Sequence, residues 1–166
     1  MQTAFVVGDT AVYPVHGITR VVALEQRTIA GSNIHVYILE VVENGSKIMV
    51  PTAKAQAVGL RDLASGQEIE EVFSLLRTHH EVHNDQSWNR RKREYTDKLK
   101  TGSIFEVAEV LRDLSLLSAS KQLSFSERRM LDTAKNLLVQ EMALARGVSA
   151  EKVTEEIDSI FARDAA

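Results

Sequence analysis

A chain of 166 residues, 44% hydrophobic and 26% charged, is long enough for one ordinary domain or two small ones and has the make-up of a soluble globular protein. With no cysteine it can build no disulfide framework, no thiolate zinc site and no cysteine nucleophile, and a net charge of −3 excludes a uniformly basic nucleic-acid binder. No basic stretch followed by a long apolar run opens the sequence, and no segment approaches bilayer-spanning length, so export and membrane insertion are not expected.

The first fifty residues are rich in Val, Ile, Tyr and Thr, punctuated by Gly8, Gly17, Gly31 to Asn33 and Asn44-Gly45. This is strand and turn chemistry, and it predicts strands near Thr10 to Pro14, Ile18 to Thr28, Ile34 to Val42 and Lys47 to Pro51, with Glu43-Asn44-Gly45-Ser46 as a hairpin turn. Short strands joined by tight turns point to a small barrel or a strongly twisted sheet. Met49-Val50-Pro51 closes this region. A proline sits where no ladder donor is needed, so this end reads as an edge, open to a strand or surface of another protein or simply guarded by the proline against aggregation.

After Pro51 the apolar residues recur at three and four, and the rest reads as helical. Thr52 is placed to cap a short helix ending near Gly59, and a further helix is expected over Glu68 to His79. Ser103 with Glu106 and Ser124 with Glu127 have capping-box spacing. Ile104, Val107, Leu111, Leu114 and Leu117 form one core stripe. Met130, Leu131, Ala134, Leu137 and Leu138 form another, ended by Gly147. A last helix is expected from about Ser149 to Ala162. The change of period puts a domain boundary between Gly59 and Gln67, giving residues 1–67 as a β-module and 68–166 as a helical module.

Catalytic residue sets are missing: there is no phosphate-cradling glycine loop, no nucleophile elbow, and no nucleophile, base and orienter together. A non-enzymatic protein without a cofactor is therefore expected. His79, His80 and His83 hint at a metal, but the spacing differs from His-Glu-x-x-His and no third ligand is marked, so an inter-helix joint is the simpler reading.

The segment from Trp88 to Lys100 carries six Lys or Arg against two acids, a local charge of +4 in a chain that is acidic as a whole, and it holds the only Trp. If Ser87 caps a helix here, Trp88 sits in the first turn, where free amides already favour a phosphate. Two readings stand: an indole between Arg and Lys that enters a minor groove or stacks on an unpaired base, or a packing residue on a stripe of Trp88, Lys92, Tyr95 and Leu99 beside a merely solvated cationic face.

Several motifs occur in order over nearly the whole chain: Val12-Tyr13-Pro14-x-His16-Gly17, Arg27-Thr28-Ile29, Val50-Pro51, Val58-Gly59-x-Arg61, Trp88-x-Arg90-Arg91, Val107-Ala108-Glu109-Val110-x-Arg112-Asp113-Leu114, and Leu123-Ser124 through Glu127-x-Arg129-Met130-Leu131. Together they resemble the CarD/CdnL family of bacterial transcription factors, above all its stand-alone CdnL type. The resemblance implies an N-terminal Tudor-like or SH3-like β-module, shared with the transcription-repair coupling factor, that docks on the RNA polymerase β subunit through Arg27, Met49, Val50 and Pro51. Some relatives carry a basic residue where this chain has Met49, so a more apolar contact is implied. It further implies an all-α C-terminal domain that binds promoter DNA without reading sequence, at the upstream fork of the bubble. There Trp88 enters the minor groove, and Arg90, Arg91, Arg93, Arg128 and Arg129 serve the backbone. Phe125 and Met130 form either an apolar patch or part of the core. The implied place of work is cytoplasmic, on the nucleoid, and the implied outcome is a stabilised open complex. A protein–protein scaffold that never touches DNA and a His-cluster metal-binding protein are the competing readings.

Overall fold

The computed structural model describes residues 5–78 and 88–164, with side chains to residue 162. The chain divides into two compact units, residues 1–63 and 64–166. No helix among the described residues is long and apolar enough to cross a membrane.

The first unit is a four-stranded antiparallel meander, curled into a half-barrel: β1 (Thr10–Tyr13), β2 (Gly17–Ile29), β3 (Ser32–Val41) and β4 (Lys47–Pro51), in that spatial order. Expected strand positions hold, with shifted ends. β3 starts at Ser32, because Ala30 and Gly31 alone make the turn: Ile29 pairs with Ser32, and both turn residues have positive φ, 52° and 80°. Such a turn matches the right-handed strand twist. A bulge between Val21 and Ala23 bends β2 and adds to the curl. Alternation then fills one side of the sheet with Val21, Tyr37, Leu39 and Val50, closed over by Phe5, Ala55 and Leu60. The outer side of β1 is covered by a bridge from Val12 to Arg61, which leaves β4 as the border strand of the meander. The helix expected from Thr52 to Gly59 is reduced to one 3-10 turn, Thr52–Lys54, with Pro51 rather than Thr52 in the cap position and no capping side chain.

The second unit contains α1 (Gly66–Arg77), α2 (Trp88–Lys100), α3 (Ile104–Ser120), α4 (Phe125–Arg146) and α5 (Ala150–Asp164). α3 is the hub: it packs against each of the other four. Its buried stripe includes Ile104, Val107, Leu111, Leu114 and Leu117, and it meets Leu131, Ala134, Leu138 and Met142 of α4 and Ile69, Val72, Phe73 and Leu76 of α1 in one core. Among the described residues, two full capping boxes start helices here. Ser124 and Glu127 cap α4 as their spacing predicts, whereas the box at Ser65 and Glu68 starts α1 two residues before the expected position. Ser103 and Glu106 have the same spacing but form no box: the Thr101 hydroxyl already accepts from the Ser103 amide at 3.2 Å, and no side-chain cap forms. Gly147, at φ 68°, ends α4 in the left-handed conformation, where its amide reaches the carbonyls of Ala143 and Leu144.

Candidate functional site

Trp88 is the first residue of α2 and is partly buried against the helical core. Its indole N–H donates to the Ser126 hydroxyl, at the start of α4, across 3.2 Å. Its ring lies 6.4 Å from that of Tyr95, one stripe further along α2. Beneath the indole lies Arg91, whose guanidinium carbon is 5.8 Å from the ring centroid, within cation–π range. Arg91 is only 5% exposed, and its Nη2 faces Glu127 at 3.5 Å. Among the described residues, Nε and Nη1 of this side chain meet no hydrogen-bond acceptor, and the indole face lies against the buried charge.

Glu127 holds three groups at once. One carboxylate oxygen accepts from the Ser124 amide at 2.9 Å and from Lys121 Nζ at 3.1 Å, and the other faces Arg91. Burial alone would raise its pKa, but the bonds from the Ser124 amide, Lys121 and the Ser124 hydroxyl outweigh burial and hold it below the usual carboxylate range. Glu127 therefore stays ionised at neutral pH. The capping box that starts α4 thus also anchors the charge under the tryptophan. Tyr95 beside them is pushed up to about 12, first by burial and then by the Asp113 carboxylate.

Arg90, Lys92, Arg93, Arg128 and Arg129 are all exposed on the same two helices. Arg90 lies 3.9 Å from Glu94 at i,i+4 and keeps a largely exposed side chain. The expected cation set therefore divides, since Arg91 is sealed beneath the indole while its sequence neighbour Arg90 faces water. The expected stripe divides as well: Arg91, not Lys92, joins Tyr95 and Leu99 on the buried face. Phe125, the first residue of α4, is 83% exposed, whereas Met130 is partly buried against the core, so these two are not equivalent. Ser126, Glu127 and Lys121 were not singled out by sequence reasoning as parts of this site. The cap motif at Ser124 and Glu127 was visible, but its second task depends on Arg91, 36 residues away.

In the sheet module, antiparallel partners share a side and successive residues alternate. Arg27 pairs with Ile34, Val36 pairs with Pro51, and Ile38 pairs with Met49, so Arg27, Met49 and Pro51 fall on one side of the sheet. Met49 is 44% exposed, and Arg27 is held by Glu25 through two bonds of 2.6 and 2.9 Å. Val50 differs from its expected partners: paired with Tyr37, it faces the core and is 2% exposed. His79, His80, His83 and the cap position Ser87 lie outside the described residues. Among the described residues, no group of three His, Asp or Glu is placed to hold a metal ion.

A curled four-stranded sheet with β4 at its border, followed by a helical unit with a tryptophan set among exposed arginines, defines a two-module protein of the β-then-α class. Known proteins place it more closely. The model for the CarD-like/TRCF RID domain matches residues 5–64 and that for the CarD C-terminal domain matches residues 71–158. The putative transcription factor YdeB of Bacillus subtilis (strain 168) is 30% identical over 149 residues, which is 90% of this chain and 97% of that protein. Among solved structures, the N-terminal domain of Myxococcus xanthus CarD is 34% identical, covering 37% of this chain and 83% of that one at a TM-score of 0.32. CdnLNt from Myxococcus xanthus is 45% identical, covering 39% and 92% at a TM-score of 0.33. The chain belongs to the CarD/CdnL family of transcription factors.

Proposed function

We propose that this protein is a non-enzymatic transcription initiation factor that links RNA polymerase to promoter DNA. The sheet module docks on the polymerase β subunit, with Arg27, Met49 and Pro51 supplying side chains and Val50 supplying backbone and the core that shapes the border strand. The helical module binds the upstream fork of the transcription bubble without reading its sequence. Trp88 enters the minor groove there, and Arg90, Arg93, Arg128 and Arg129 neutralise flanking phosphates. Arg91 acts through the indole rather than on a phosphate.

The observation that carries this reading is the setting of Trp88: the chain's one indole, partly buried, fixed by Ser126 and Arg91, and bordered by cations that face water. A wedge held in one orientation loses little entropy on insertion. Unstacking a base step costs a few kcal/mol, so a wedge acts best where melting has already met part of that cost. A factor that binds the melted fork better than the closed duplex shifts the promoter toward the open complex by that difference in affinity, and no bond need be made or broken. Attachment to polymerase raises the local concentration, so modest affinity for DNA is enough.

The test uses Trp88→Ala in the full chain. Polymerase capture should be unchanged while the open complex on a ribosomal-RNA-type promoter decays faster. An unchanged lifetime removes the wedge. In the same assay Met49→Asp should weaken polymerase capture, and undiminished capture removes the border strand from the contact.

A further inference from the structure

Beside Trp88, between α2 and the start of α4, lies a groove of about 360 Å³ that the wedge does not use. That is within the range of pockets that take small ligands, roughly 300–1,000 Å³. Leu99 and Met130 line it, one buried and the other partly so, and Phe125 supplies an aromatic face that is 83% exposed. Lys92 and Arg129, both exposed, also border it, one from each helix, and no carboxylate contributes to the lining. Ser126 is shared: its oxygen accepts from the Trp88 indole, which leaves its own proton free to be donated into the groove. Thr133, also in the lining, donates to the Arg129 carbonyl and keeps its lone pairs as acceptors.

We propose that this groove receives one unpaired nucleotide of a melted strand next to the wedge, the base stacked on Phe125 and its flanking phosphates on Lys92 and Arg129. The inference rests on the DNA-binding reading of Trp88. Three features select this occupant. A phenyl face takes any base without sequence preference, because every base has a π-face. Cations on two helices match the two phosphates that flank a base, and the lack of acidic lining admits them. The Ser126 and Thr133 hydroxyls offer one donor and further acceptors to whichever base edge arrives. A base inside a paired duplex is stacked and cannot enter, so the groove adds affinity only for opened DNA. That makes it a second source, beside the wedge, of preference for the melted state.

The experiment uses the full chain and labelled DNA forks that are identical except at the first unpaired nucleotide, which is either a thymidine or an abasic sugar. With each fork, binding is read by anisotropy at one salt concentration. Thymidine should bind about tenfold tighter than the abasic fork, Phe125→Ala should erase that ratio, and Phe125→Tyr should keep it. Because Phe125 is exposed, its replacement should leave the unfolding midpoint unchanged. Equal binding of the two forks by the unaltered protein overturns the pocket but not the wedge, as does a ratio that survives Phe125→Ala. Trp88→Ala separates the two ideas: it should weaken both forks alike while keeping their ratio. No binding to any DNA overturns the pocket and the wedge together.

Discussion

Arg27 and Met49 reach solvent from one side of a sheet whose core lies on the other, whereas Trp88 stands partly buried above a salt bridge sealed beneath it. The sheet sets the side on which Arg27 and Met49 stand by alternation, and Arg27 has one further partner, Glu25. Exchange of an exposed side chain such as Met49 is expected to leave the fold in place. The helical module positions Trp88 through a chain of partners, Lys121 to Glu127 to Arg91 to Trp88, so the proposed contact and the stability of the fold are not separable there. Burial of the pair is no evidence of net stabilisation, since desolvation offsets much of the attraction, but removal of one partner leaves the other charge stranded.

The largest effect should therefore come from Glu127→Ala. It strands the Arg91 guanidinium and removes one half of the α4 cap, and a loss of roughly 3–5 kcal/mol in urea unfolding is expected. Arg91→Ala should cost less, because Glu127 keeps Lys121 and Ser124. Trp88, being the only Trp, reports on itself. Its emission should move to longer wavelength in both variants, and an unmoved spectrum would mean that the charges beneath do not hold the indole.

The same network should show in the pH dependence of stability. Glu127 has its folded pKa lowered, so its contribution is fully present above the unfolded value near 4.5 and is lost as the pH falls through the folded pKa. Glu127→Gln should flatten that acid limb. Tyr95 titrates in the opposite sense. With its pKa raised from 10.0 to about 12, the folded state resists ionisation, and stability falls as the pH climbs from 10 toward 12. The loss is up to roughly 2 kcal/mol. Tyr95→Phe should remove the alkaline limb, and persistence of that limb would assign it to another group.

The sheet module allows a sharper contrast between two residues adjacent in sequence. Val50→Ala should cost roughly 1–2 kcal/mol through the cavity it leaves in the core. Met49→Ala should change stability by less than about 0.5 kcal/mol and act only on polymerase capture. Comparable losses of stability from both would mean that the border strand does not alternate as its register with β3 requires.

Most of the architecture could be read in the sequence because it rests on local rules. Asn44-Gly45 marked one hairpin, the apolar stripe from Ile104 to Leu117 marked α3, and Gly147 marked the end of α4. Where the reading failed, a local rule met a competitor. Ser103 and Glu106 have capping-box spacing, but the Thr101 hydroxyl takes the amide that Glu106 would have reached. Ser65 and Glu68 have the same spacing and do form the box, so that signal was present and unused. The candidate site was less legible. Helical spacing admitted Lys92 to the buried stripe because a wheel has no information about partners, and Arg91 is buried only because Glu127 lies across from it in another helix. Nor does spacing separate Phe125, exposed at the helix start, from Met130 one turn on.

The smallest expected effect separates two adjacent arginines that are indistinguishable in sequence. Each phosphate neutralised by a cation steepens the fall of log affinity with log salt by about 0.9. Arg90 faces water, so Arg90→Ala should reduce that slope by about 1, equivalent to roughly a fourfold change between 50 and 200 mM salt, and should leave Trp88 emission in place. Arg91→Ala should do the reverse, altering emission and stability with the slope retained, since its guanidinium is spent on the indole and Glu127. If both variants lower the slope equally, Arg91 must leave its buried partner when DNA binds, and the brace under the tryptophan would be a switch that opens on contact.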